Sequence, residues 1–152
     1  MFQINDIVID KKFPPLVIAE IGINHGGSID LAIEMVQSAK KAGVKVIKHQ
    51  THIVEDEMSA KAKNIKPGNS NKAIYDIMSE CSLNEDEEFE LKRYAEEIGL
   101  TYISTPFSKA AADRLKKMGL KAYKIGSGEC NNLPLVDYIA SFKKPMIIST
   151  GM

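Results

Sequence analysis

The chain has 152 residues, 44% of them hydrophobic and 26% charged, and its 20 basic and 20 acidic side chains cancel to a formal net charge of zero. That is one domain of core-forming, globular sequence, and the even balance carries no electrostatic footprint for nucleic acid or an anionic membrane surface. The first residues lack the basic-then-apolar pattern of a secretory signal, no apolar run approaches the ~20 residues of a membrane span, and two distant cysteines, Cys81 and Cys130, make no disulfide framework; a cytoplasmic protein is expected.

In chain order, residues 2–10 alternate weakly and predict an extra N-terminal strand within a hairpin. Residues 16–22 follow Pro14-Pro15 as the first core strand. Ser28 is suited to cap a helix over residues 29–42, with apolar positions at 29, 32, 33, 36 and 39 and Gly43 as its stop. Residues 44–50 form the second strand. A long insertion over residues 51–82 follows, with a polar loop at Lys66-Pro-Gly-Asn-Ser70 and a short helix near residues 73–78. It leaves the C-terminal end of a strand, where parallel α/β folds place ligands. Then come a helix over residues 85–98, a strand over 100–105, a helix over 108–118, a strand over 121–126, a helix over 133–142 and a strand over 145–150. This alternation predicts βα units on a parallel sheet. Two architectures accommodate it: an open five-stranded doubly wound sheet, or the first half of a (β/α)8 TIM barrel, which needs about 250 residues in all.

Strand parity selects the chemistry, because alternate side chains share a face. Ile18, Glu20 and Gly22 share one face of the first strand, Val46, Lys48 and Gln50 one face of the second, and Ile103 and Thr105 one face of the third. Tyr123 and Ile125 suit a helix-packing face, which turns Lys124 the other way. Glu20, Lys48, Thr105 and Lys124 are therefore expected in a common interior, with Ser127, Glu129 and Ser149 at or beyond the strand ends. Such a set is either a structural ion-pair cluster or a cradle for an anionic substrate, lysines supplying charge and hydroxyls supplying donors. The Gly126-Ser-Gly128 turn exposes backbone N–H groups to the same ligand. His49 and His52 fall on opposite faces, so joint metal ligation is not expected, and His25 is either at the edge of an active site or a plain turn residue. The acidic runs Glu55-Asp-Glu57 and Glu85-Asp-Glu-Glu88 read as solvated, and Cys130 as a small buried residue.

Five motifs in order, Ile18-Ala-Glu-Ile-Gly-Ile-Asn-His-Gly26, Lys48-His-Gln-Thr-His52, Ile103-Ser-Thr-Pro-Phe-Ser108, Tyr123-Lys-Ile-Gly-Ser-Gly-Glu-Cys-Asn-Asn132 and Ser149-Thr-Gly-Met152, resemble the N-acetylneuraminate (sialic acid) synthase family over nearly the whole chain. The resemblance implies a TIM barrel followed by a small antifreeze-like domain, and condensation of phosphoenolpyruvate with N-acetylmannosamine or a related N-acetylated hexosamine, with release of phosphate. It implies a divalent metal such as Mn2+, which polarises the sugar aldehyde, and a homodimer. Carried over by motif, Lys48, Thr105, Ser127 and Ser149 hold the phosphate and Lys124 the carboxylate. Glu20 and Glu129 are acid/base carboxylates, with Lys48 beside them. Gln50, Asn69 and Phe107 face the sugar. The metal-binding histidines of the family lie on later strands, so no metal site is expected within these residues. Residues 1–152 are expected to supply the first part of the barrel only, with two open sheet edges, and not to be a stable active monomer. Two other readings compete. One is a Schiff-base aldolase using Lys48 or Lys124 as the amine. The other is a non-catalytic anion-binding half-barrel.

Overall fold

The computed structural model describes residues 2–151. The N-terminal segment is a tight antiparallel hairpin, β1 (Phe2–Ile4) and β2 (Ile7–Ile9), turned at Asn5, which takes a positive φ of 53°. Five parallel strands follow: β3 (Ile18–Gly22), β4 (Val46–Thr51), β5 (Thr101–Pro106), β6 (Tyr123–Ile125) and β7 (Met146–Ile148). They lie side by side in chain order, with β3 and β7 at the edges.

That order decides between the two architectures. A doubly wound sheet reverses direction at a switch point and carries helices on both faces. Here every crossover steps the same way. The helices α1 (Ile29–Lys41), α4 (Glu85–Glu97), α5 (Lys109–Lys117) and α6 (Leu133–Ala140) supply one continuous core with the outer strand residues, including Ile47, Tyr102, Tyr123 and Ile125. The inner face has a separate apolar floor of Val46, Ile103 and Ala122, sealed by Ile4 of the hairpin with Ile7, Ile9, Ile18 and Ile147 against it. Asn5 Nδ2 reaches Thr101 Oγ1 at 3.5 Å and pins the hairpin to the start of β5. Sequential strands with helices outside and a plugged lower end are the first half of a TIM barrel.

Helix starts follow their caps. Ser28, Asn84, Ser108 and Asn132 each accept a backbone N–H in the first turn, and Asn84 with Glu87 completes a capping box. The insertion after β4 is more ordered than its polarity suggests. It holds a one-turn helix α2 (Val54–Glu57), a 3₁₀ turn (Ala60–Asn64) and α3 (Ile74–Cys81), which starts one residue later and runs three residues longer than expected. Its end is pressed against the β3–α1 loop. A Cβ on Gly27, at φ +83°, would stand 2.1 Å from the Glu80 carbonyl oxygen, so only glycine fits there.

One register expectation fails. A bulge between Glu20 and Gly22, with Gly22 at φ +54°, pairs Gly22 with His49 instead of leaving it in phase with Glu20. Ile21 keeps the helix-facing position that parity gives it, and the phase is broken only at Gly22.

Candidate active site at the strand ends

The inner face above the apolar floor is polar. The register sets Glu20 beside Lys48, Gln50 beside Thr105, and Lys124 beside Ile147, one step below Ser149. Lys48 is buried, its side chain 6% exposed, and its Nζ lies 3.4 Å from Glu20 Oε1. The Glu20 side chain is 64% exposed, so this carboxylate stands open at the mouth and does not fully neutralise the lysine. Lys124 is half-buried and donates to Ser149 Oγ at 2.6 Å and to the Ile125 carbonyl at 2.5 Å. Burial, then the nearby Lys48 charge, lower its amine below the ordinary lysine value, and Glu20 partly opposes them.

Three buried side-chain atoms lack a partner among the described residues, the Tyr102 hydroxyl and Arg114 Nε on the helix side and the Thr105 hydroxyl on the inner side. A buried hydroxyl of this kind costs stability unless something arrives to meet it. Two lysines that crowd each other and an unspent hydroxyl beside them offer the charge and donors that a small, multiply charged anion would meet.

The rim is built from the next residues along. Ser127 and Glu129 sit in a 3₁₀ turn (Ser127–Glu129) after β6, both half-buried, and Glu129 Oε2 accepts from Asn132 Nδ2 at 2.8 Å. Phe107 follows β5 and stacks on His52 at 4.2 Å between ring centroids. Gln50 is half-buried with its Oε1 3.5 Å from His52 Nε2. Asn69 lies on an exposed turn of the insertion and makes no side-chain hydrogen bond to the other candidates among the described residues. Nine of the ten sequence candidates thus lie on β3 to β7 or just beyond their C-terminal ends, and Asn69 is on the exposed insertion instead.

Both solvated-acid expectations are corrected in part. Glu88 is buried at 1% exposure: its Oε1 accepts from His49 Nδ1 at 3.0 Å and Thr51 Oγ1 at 2.6 Å, and its Oε2 accepts from Arg114 at 2.9 Å. Burial alone would raise this carboxyl, but the bonds from His49, Thr51 and Arg114 outweigh it and hold the group below its usual value. Glu57, at 6% exposure, pairs with His52, and Asp56 caps the start of α5 through the Ala110 N–H at 2.9 Å. The reason is parity: β4 points His49 and Thr51 at the helix layer, where imidazole and hydroxyl need a buried acceptor.

His25 is neither an edge residue nor a free turn residue. It is buried beneath the β3–α1 loop, stacked on His49, with the two Nε2 atoms 3.1 Å apart. The Gly27 N–H donates to its Nδ1, so its own proton sits on Nε2 and is given to His49, which in turn gives its Nδ1 proton to Glu88. Burial, then His49, lower His25 to about 4. Cys130 and Cys81 are half-buried free thiols, so Cys130 is less enclosed than expected. No group of three His, Cys, Asp or Glu side chains able to hold a metal ion occurs among the described residues.

Known proteins share this sequence and fold. The NeuB family model matches residues 35–152. The chain is 37% identical to the N,N'-diacetyllegionaminic acid synthase of Legionella pneumophila over 90% of its own length and 39% of that protein, and 34% identical to the human N-acetylneuraminate-9-phosphate synthase over 95% and 41%. The crystal structure of the N-acetylneuraminic acid synthetase of Leptospira borgpetersenii, in complex with citrate, superposes with a TM-score of 0.84 at 26% identity over 99% of this chain and 50% of that one. The chain spans about two fifths of the length of these curated relatives. With barrel strands in chain order and a family match over most of its residues, the chain belongs to the NeuB family.

Proposed function

We propose that this chain carries the phosphoenolpyruvate-binding part of a nonulosonate synthase of the sialic acid type, a transferase that joins phosphoenolpyruvate to N-acetylmannosamine or a related N-acetylated hexosamine and releases phosphate. The observation that carries the reading is the inner face of β4 to β7, where Lys48, Lys124 and the unpartnered Thr105 hydroxyl converge. Phosphate and carboxylate on one small molecule suit two lysines and hydroxyls. In this reading Lys48, Thr105, Ser127 and Ser149 take the phosphate, and Lys124 takes the carboxylate.

When C3 of the enol attacks the sugar aldehyde, C2 becomes oxocarbenium-like. An open carboxylate near that carbon stabilises the charge and accepts a proton from the water that adds to it. Glu20, exposed at the mouth, and Glu129, oriented by Asn132, take these roles. Collapse of the resulting hemiketal phosphate releases inorganic phosphate. The described residues do not offer a three-ligand set for manganese, and no step here passes through one; we place its ligands, with the remaining barrel and the antifreeze-like domain, outside residues 2–151. Cytoplasmic location and a homodimer belong to the same proposal. No helix among the described residues is long and apolar enough to cross a membrane.

The test is phosphate release from phosphoenolpyruvate with N-acetylmannosamine and manganese, using residues 1–152 alone and joined to the remaining barrel of the Legionella relative. The chain alone gives no turnover; the joined protein gives turnover that Glu129→Gln reduces at least a hundredfold. Near-normal turnover in folded Glu129→Gln sinks its role. The lowered Lys124 amine favours one second reading, a Schiff-base aldolase. A borohydride-trapped adduct with a carbonyl substrate would select it.

A further inference from the structure

Between β6 and α6 the chain passes through a run of tight turns. The Glu129 N–H donates to the Gly126 carbonyl at 3.1 Å, and the Asn132 N–H to the Glu129 carbonyl at 3.1 Å. Asn132 stands at φ −79° and ψ 69°, with the Leu133 N–H on the Asn131 carbonyl at 2.9 Å, which is an inverse γ-turn. Both ends of the Asn132 amide are committed there. Its Oδ1 accepts the Leu135 N–H at 3.3 Å as the cap of α6, and its Nδ2 donates to Glu129 Oε2 at 2.8 Å. Reversing the amide would set NH2 against N–H and oxygen against carboxylate, so its orientation is fixed. The helix it caps is held in turn by Leu135 and Ile139, both buried in the helix-side core. Glu129 Oε1 has no hydrogen-bond partner among the described residues.

We propose that Asn132 is a positioning residue for Glu129: one amide both caps α6 and ties the carboxylate to it, leaving Oε1 as the oxygen free to take a proton. A base must lie within hydrogen-bond reach of the proton it takes, and a carboxylate carried on a turn needs a supporting contact to stay there. Asn132 supplies that contact from a helix packed into the core. The residue type is informative. Asp caps a helix as well as Asn and suits its positive N-terminal end better, so the cap alone does not call for an amide. Glu129 does: a second carboxylate beside it would repel, whereas an amide offers it an N–H without adding charge. The inference rests on the synthase reading for what Glu129 does, but the tie between Glu129, Asn132 and α6 does not.

The test uses the chain joined to the remaining barrel of the Legionella relative. Asn132→Asp keeps the cap and loses the donor, and Asn132→Ala loses both. Glu129→Gln and the double variant Asn132→Asp/Glu129→Gln complete the set. Phosphate release gives kcat and KM, urea gives the unfolding midpoint, and 13C NMR follows the Glu129 carboxyl. Asn132→Asp should hold the midpoint and lower kcat about tenfold, with KM for phosphoenolpyruvate changed less than about twofold, the loss of one charge-assisted hydrogen bond to the base. Asn132→Ala should lower the midpoint as well. The double variant should turn over no more slowly than Glu129→Gln, because Asn132 acts only through that carboxylate. Parental kcat in Asn132→Asp overturns the inference and leaves Asn132 a helix cap, and a further loss in the double variant overturns it too. No phosphate release by the parent counts against the synthase reading. The inference is then decided by the Glu129 carboxyl signal in Asn132→Ala, which adds no charge: a moved signal supports the tie and an unmoved one overturns it.

Discussion

The two faces of β4 carry polar side chains at the same height and treat them in opposite ways. On the outer face, the polar atoms of His49, Thr51 and Glu88 are met: His49 bonds His25 and Glu88, Thr51 bonds Glu88 and Ser104 at 2.8 Å, and Arg114 closes the far oxygen of Glu88, leaving the Arg114 Nε and the Tyr102 hydroxyl unpartnered among the described residues at its edge. On the inner face, Lys48 meets one open carboxylate, and its neighbour Thr105 meets nothing among the described residues. A closed network raises the cost of deforming the strand end. An unclosed one leaves donors for a ligand. Under the proposed function, the outer residues hold the site and the inner residues use it.

The largest effect should come from the outer face. Glu88→Ala strands His49, Thr51 and Arg114 in the core and should cost about 3–5 kcal/mol in urea unfolding; a loss under about 1 kcal/mol would mean the network holds nothing. Next, Lys48→Ala should weaken phosphoenolpyruvate binding by roughly ten- to a hundredfold, the worth of one charge-assisted contact, with the unfolding midpoint little changed. Equal loss of stability and affinity would erase the distinction between the faces. Thr105→Val sharpens it, because the isosteric change removes an unpartnered hydroxyl: stability should hold or rise by up to about 1 kcal/mol while affinity falls several-fold. A stability loss with unchanged affinity would move Thr105 to the structural side.

A pH dependence follows from the outer face as well. His25 is held at about 4 in the fold against an ordinary 6.5. The unfolded chain therefore binds more protons between those values, so stability falls as pH drops from about 6.5 toward 4. His49 and Glu88 face His25 directly or through the chain, and the lowered Glu88 adds its own loss below its ordinary 4.5. His25→Asn should flatten the upper part of that slope; an unchanged slope would place the titration elsewhere.

Much of this was legible in the sequence. Alternation along residues 44–50 and 121–126 set Lys48 and Lys124 on the inner side, and Gly and Ser punctuation bounded the helices. Three things were not legible. The bulge at Gly22 breaks an alternation that the sequence carries unbroken, and it lies in a turn whose next glycine but one, Gly27, is pressed on Glu80, a contact between segments far apart in sequence. The burial of Glu88 depends on a partner 39 residues away, His49; the available signal was a histidine on a helix-packing face, which requires an acceptor. Glu57 was hidden in an acidic run, although His52 stands five residues before it.

The most direct measurement is a calorimetric titration of phosphoenolpyruvate into the chain, its Lys48→Ala variant and its Thr105→Val variant, with unfolding curves on the same samples. The account predicts saturable binding to the parent chain, displaced by inorganic phosphate, and weakened in both variants at unchanged or raised stability. No saturable binding to a folded parent chain, or equal binding by all three, would contradict it.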